Sequence, residues 1–99
     1  MNSDPDYNNL WTLYHGRCVN EIIHPAVCIH EILPKSKGHQ AMTFWNRVPL
    51  CNTCHILYTP SSAAKQQQLK QKQKEAIKFF YDKQKTVKLR SGKIIKLPY

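Results

Sequence analysis

Cys28-Ile29-His30-Glu31-Ile32-Leu33-Pro34-Lys35-Ser36-Lys37-Gly38, answered by Asn46-Arg47-Val48-Pro49-Leu50-Cys51-Asn52-Thr53-Cys54-His55, decides how the rest of the chain folds. Ala26 to Leu33 is rich in apolar and β-branched residues and stops at Pro34, which predicts a strand. Val48-Pro49-Leu50 predicts a short second strand, at an edge or a bulge because Pro49 has no amide to donate. His55 to Tyr58 can begin a helix that Pro60 cuts or kinks. In an antiparallel pair the start of the first strand lies beside the end of the second, so Cys28 should approach Cys51. His30, two residues from Cys28, shares its strand face. A helix packed on this hairpin would bring His55 to His30.

The flanks are less explicit. Residues 1–9 are polar and predict a loose end. Leu10 to Tyr14 is apolar enough to pack as a short helix or strand, and His15-Gly16-Arg17-Cys18 predicts a turn carrying two ligand-type side chains. From Ala63 to about Lys85 the chain is made of good helix formers, with Leu69, Ala76, Ile77 and Phe80 as a thin apolar stripe. Phe79, Phe80 and Tyr81 read as a small core patch rather than as base-stacking platforms. Two β-prone runs flank Ser91-Gly92 between Val87 and Leu97, which predicts a hairpin.

Ninety-nine residues make one small domain, whose core is marginal without a staple. No apolar run approaches the roughly 20 residues of a membrane span. Met1 is followed by no apolar leader segment, so the expected setting is cytoplasmic. Disulfides are rare there, and four cysteines suggest metal ligands. Cys51-x-x-Cys54 has zinc-knuckle spacing. Cys18 and Cys28 would complete a four-thiolate structural zinc site, with His15 as the alternative to Cys28. His30 and His55, as neutral imidazoles, could hold a second divalent ion with positions open to water and a phosphate oxygen.

Charge points to the partner. Residues 1–60 hold four basic and four acidic side chains, whereas residues 61–99 hold eleven basic and two acidic ones and carry the whole net charge of +9. A neutral head with a basic tail fits a polyanion, nucleic acid first. Lys70, Lys72, Lys74, Lys78, Lys85, Lys88, Arg90, Lys93 and Lys96 could contact phosphates, as could Lys35 and Lys37, in largely sequence-independent, salt-sensitive binding.

Residues 28–55 resemble the HNH (ββα-metal) nuclease motif of many phage and mobile-element endonucleases and of the colicin DNases, and Gly16-Arg17-Cys18 fits its zinc-knuckle versions. The resemblance, which covers about a third of the chain, implies a ββα-metal domain, expected over residues 1–62; with the basic helix and β-hairpin read from the sequence over 63–99, the expected fold is α+β. It implies that His30 and His55 hold the catalytic ion (Mg²⁺, Mn²⁺, Ni²⁺ or Zn²⁺). Asn46 would pin the loop between the strands, and the residue after His30 would be the general base. The implied activity is hydrolysis of DNA phosphodiester bonds in a cytoplasmic protein of bacterial or phage type. Family members that cut both strands often use two sites, which leaves room for a homodimer.

The chain departs from the pattern at the base, where the family's usual His is Glu31, a weaker base. Glu31 could still serve, His39 could replace it, or the site could bind without cutting. Thr59 stands where some members carry a further ligand. The competing expectations are a zinc-stapled nucleic-acid-binding module of the same fold and a protein-binding zinc-ribbon adaptor. The adaptor leaves Asn46 and the two histidines unexplained.

Overall fold

The computed structural model describes residues 5–33, 44–60 and 62–98. Among the described residues it is a small α+β structure with three α-helices and two two-stranded antiparallel sheets. Helix α1 spans Pro5–Leu13, strand β1 Cys28–Glu31, strand β2 Arg47–Leu50, helix α2 Asn52–Tyr58 and helix α3 Ala63–Tyr81. Strands β3 (Thr86–Lys88) and β4 (Ile94–Lys96) follow. No helix among the described residues is long and apolar enough to cross a membrane.

The decisive hairpin forms with Cys28 opposite Leu50, Ile29 opposite Pro49, His30 opposite Val48 and Glu31 opposite Arg47. β1 is shorter at both ends than the apolar run that announced it. Pro49 takes an outer-edge position, where a missing amide costs no ladder bond. Its carbonyl accepts from the Val19 amide at 3.1 Å, which ties the Cys18 loop to β2. Helix α2 starts directly at the knuckle with Cys51 as its N-cap, and ends at Thr59, before Pro60. It packs across both strands and touches α3.

The loose end expected over residues 1–9 gives way to helix from Pro5 onward. Proline is tolerated in a first helical turn, where its missing amide has no intrahelical partner anyway. Leu10, Leu13 and Tyr14 then anchor α1 in the core. The helix ends in a Schellman turn: the His15 amide donates to Thr12 O and the Gly16 amide to Trp11 O, at 3.2 and 2.9 Å. His15 is left-handed there, at φ 56°.

Ser62 caps α3, its hydroxyl accepting from the Lys65 amide. The buried stripe is Leu69, Gln73, Ala76 and Ile77. Gln73 occupies a slot that the apolar pattern skipped, donating to the Tyr14 hydroxyl and to Trp45 O. The aromatic run is not the core patch expected of it. Phe79 is 69 % exposed, Phe80 stacks on His15, and the Tyr81 hydroxyl donates to Leu13 O. The C-terminal hairpin matches its prediction: Val87 pairs with Ile95, and the three residues Arg90 to Gly92 close the turn, Gly92 being left-handed at φ 93°. Val87, Leu89, Ile95 and Leu97 point inward, while Lys88, Arg90, Lys93 and Lys96 stay exposed. These inward residues belong to the same core cluster as Leu10, Val48, Leu50 and Tyr58, so segments 1–62 and 63–99 share one core.

Candidate functional site

Two groups of ligand-type side chains assemble around the β1–β2–α2 unit. In the first, the sulfurs of Cys18, Cys51 and Cys54, all buried, lie within 4.8 Å of one another. A tetrahedral zinc with bonds of about 2.3 Å spaces its thiolates by about 3.8 Å. The cluster therefore needs only a small contraction to hold such an ion. Three cysteines close enough for a metal ion are what the structure supplies at the expected zinc site.

Local structure explains how the three meet. Cys51 and Cys54 are one helical turn apart at the start of α2. Cys18 arrives on the loop held by the Val19–Pro49 bond. Asn20 then does two jobs: its Nδ2 donates to Cys54 Sγ at 3.2 Å, and its Oδ1 accepts from the buried Tyr58 hydroxyl at 3.0 Å. Such partners orient thiolate ligands and fix the surrounding polarity.

The thiols are electrostatically unequal. Burial pushes Cys51 up, but hydrogen bonds from the Cys54 amide and from the Cys54, His24 and Cys18 side chains outweigh it and hold Cys51 at about 7. Burial, together with the protons and charge of its neighbours, pushes Cys54 up to about 12 in spite of the Asn20 bond. The cluster thus collects negative charge on Cys51, which a divalent cation would relieve and extend to all three sulfurs.

The other two expected ligands stand apart from the cluster. Cys28 lies opposite Leu50, one residue before Cys51, and its Sγ donates to Leu50 O at 3.6 Å. Its thiol is raised by burial first and then by Cys18 and Cys51. His15 is turned toward α3, its ring 4.4 Å from that of Phe80 and its Nε2 3.3 Å from the Tyr81 hydroxyl.

The second group joins His30 of β1 to His55 of α2. Their ring centres are 5.3 Å apart in an edge-to-face arrangement. Imidazoles sharing one ion through nitrogens about 2.1 Å from it have ring centres about 5 Å apart, so the spacing fits a shared ion. Burial, then the positive charge of a protonated His55, lowers the His30 pKa and favours the neutral, ligating form.

Asn46, just before β2, is 6 % exposed. Its Oδ1 accepts from the Leu33 amide at 2.9 Å and its Nδ2 donates to Leu33 O at 3.0 Å. The main chain adds Ile32 N–H to Asn46 O at 2.7 Å. Both polar groups of one backbone residue just past Glu31 are thereby fixed. Asn46→Ala would leave them unpaired, at about 2–3 kcal/mol. The expected result in urea is a lower midpoint with an unchanged m-value.

Glu31 is half-buried, and its Oε2 has no hydrogen-bond partner among the described residues. By strand alternation it faces away from His30, across from Arg47. Lys35, Lys37 and His39 lie outside the described residues. Of the remaining candidate phosphate contacts, Lys70, Lys78, Lys85, Lys88, Arg90, Lys93 and Lys96 are exposed, and Lys72 pairs with Glu75 at 3.9 Å. No family model, no curated protein and no solved structure matches the chain.

Proposed function

We propose that the protein is a metal-dependent endonuclease of the HNH (ββα-metal) type that hydrolyses DNA phosphodiester bonds. The observation that carries this reading is the His30–His55 pair, which joins the hairpin to the helix with ring centres 5.3 Å apart, together with the Asn46 clamp on Leu33. A divalent ion held by these imidazoles would offset the negative charge that grows on the phosphate and the leaving oxygen. Glu31, which stands in the family's general-base position, would take a proton from the attacking water once its buried Oε2 is opened toward the imidazole pair. Asn46 holds the Leu33 backbone and so fixes where β1 ends and Glu31 projects. Zinc on Cys18, Cys51 and Cys54 staples the unit, and the exposed basic face of β3–β4 with the lysines of α3 holds the DNA backbone.

One observation favours a second reading, a nucleic-acid-binding module that does not cut. Glu31 lies on the strand face opposite His30, level with Arg47, rather than beside the imidazoles. Plasmid incubated with the protein and Mg²⁺, Mn²⁺ or Ni²⁺ separates the two. The nuclease nicks it, and Glu31→Gln slows nicking by about 10²-fold, the usual worth of a positioned base. Binding without nicking under every metal leaves only the second reading.

A further inference from the structure

We propose that His24 is the fourth ligand of the structural metal site, so that Cys18, Cys51, Cys54 and His24 form a three-thiolate, one-imidazole zinc centre. This rests on the three-cysteine metal centre proposed above and names the residue that closes it. Nothing in the spacing of the cysteines pointed to His24.

The placement follows from the main chain. Arg17 and Pro25 form an antiparallel bridge, flanked by Cys18 N–H to His24 O at 3.0 Å and Ala26 N–H to Gly16 O at 2.8 Å. Cys18 and His24 are therefore opposite one another across that ladder. Opposite residues of an antiparallel pair share a face, with Cβ atoms about 4.5–5.5 Å apart. The Val19–Pro49 bond sets the same loop against the strand that runs into Cys51. His24 is also one of the side chains whose proximity lowers the Cys51 pKa, which places the imidazole near that sulfur. His24 is exposed and lies outside the 4.8 Å grouping of the three buried sulfurs, so its ring has to turn inward to complete the shell.

The rivals are placed less well. Cys28 feels Cys18 and Cys51 electrostatically but is outside their 4.8 Å grouping, and its thiol is bonded to Leu50 O. His15 is stacked on Phe80. His30 and His55 face each other.

X-ray absorption on the zinc-loaded protein tests the assignment. Three sulfurs near 2.3 Å and one nitrogen near 2.0 Å are expected around the zinc. In competition with a chromophoric chelator, His24→Ala should weaken zinc binding by about tenfold or more, since even outer partners are worth about 10–100-fold. Cys28→Ser should leave affinity unchanged, and His24→Cys should keep zinc with a four-sulfur shell. A four-sulfur shell in the unaltered protein, or zinc lost by Cys28→Ser and kept by His24→Ala, overturns the assignment while leaving the zinc centre standing. An unaltered protein that binds no zinc overturns both. The absorption experiment needs no variant, so a misfolded His24→Ala does not shelter the proposal.

Discussion

Replacing Cys54 with serine is expected to lower the thermal midpoint of the zinc-loaded protein by about 15–30 °C. Structural zinc supplies about 10–16 kcal/mol of binding free energy in small zinc-dependent peptides. Losing even about 4 kcal/mol of it shifts a domain of this size by about 4–8 °C per kcal/mol. Cys54 is the member whose loss reaches furthest. It lies within the thiol cluster, and it accepts from Asn20, which in turn holds the buried Tyr58 hydroxyl. Serine would also bury a hydroxyl in a space shaped for sulfur. Calorimetry of the zinc-loaded pair reads the shift. A strong chelator added to the unaltered protein should give a drop of similar size. A midpoint indifferent to the chelator would remove zinc from the account of stability.

Replacing His55 with alanine is expected to cut plasmid nicking by about 10³-fold. A catalytic ion is worth several kcal/mol of transition-state stabilisation, and about 4 kcal/mol is a thousandfold in rate. The substitution removes one of two imidazoles whose ring centres are 5.3 Å apart, from a half-buried position where folding should survive. Circular dichroism checks that it does. The pair also sets a pH dependence. The folded state holds His30 below its ordinary 6.5, through burial first and His55 second, whereas the unfolded chain protonates at the ordinary value. The unfolded state therefore takes up the proton first. The contribution to stability is complete above about pH 6.5 and is lost as pH falls through the lowered folded value. Metal binding and nicking should decline over the same acidic window. In His55→Ala the smaller cause is gone, so the His30 titration, followed by NMR, should move up toward its ordinary range.

What the sequence announced was what local pattern can carry. The Cys51-x-x-Cys54 spacing, the alternation of β1, the stripe at Leu69, Ala76 and Ile77, and the Ser91-Gly92 turn are each written within one helical turn or a few strand residues. Elements of that kind came out close to where they were expected, with ends shifted by a few residues. The polar residues that complete the site were invisible for the opposite reason. Asn20 meets Cys54 and Tyr58 across 34 and 38 residues, and Gln73 meets Tyr14 across 59. No periodicity relates such positions, and Asn or Gln in a polar stretch looks like any solvated side chain. His15 was misleading because its i, i+3 relation to Cys18 suggested a knuckle. The Schellman turn that holds His15 in the left-handed region points the ring at α3 instead. Phe79 looked like core because aromatic residues usually are. The helix face that buries Ile77 leaves it outside.

The shared core has a consequence for the order in which the protein is made. A ribosome that has released residues 1–62 has already supplied His30, Glu31, Asn46, His55 and all four cysteines. Leu10, Leu13 and Tyr14 still lack Leu69, Ile77, Val87, Leu89, Ile95 and Leu97, with which they form one cluster. The contacts that close it join sequence positions far apart, and such contacts form late. The candidate site is therefore complete in composition before its framework is. Closure of the core awaits the β3–β4 hairpin, the same element that carries the exposed basic side chains.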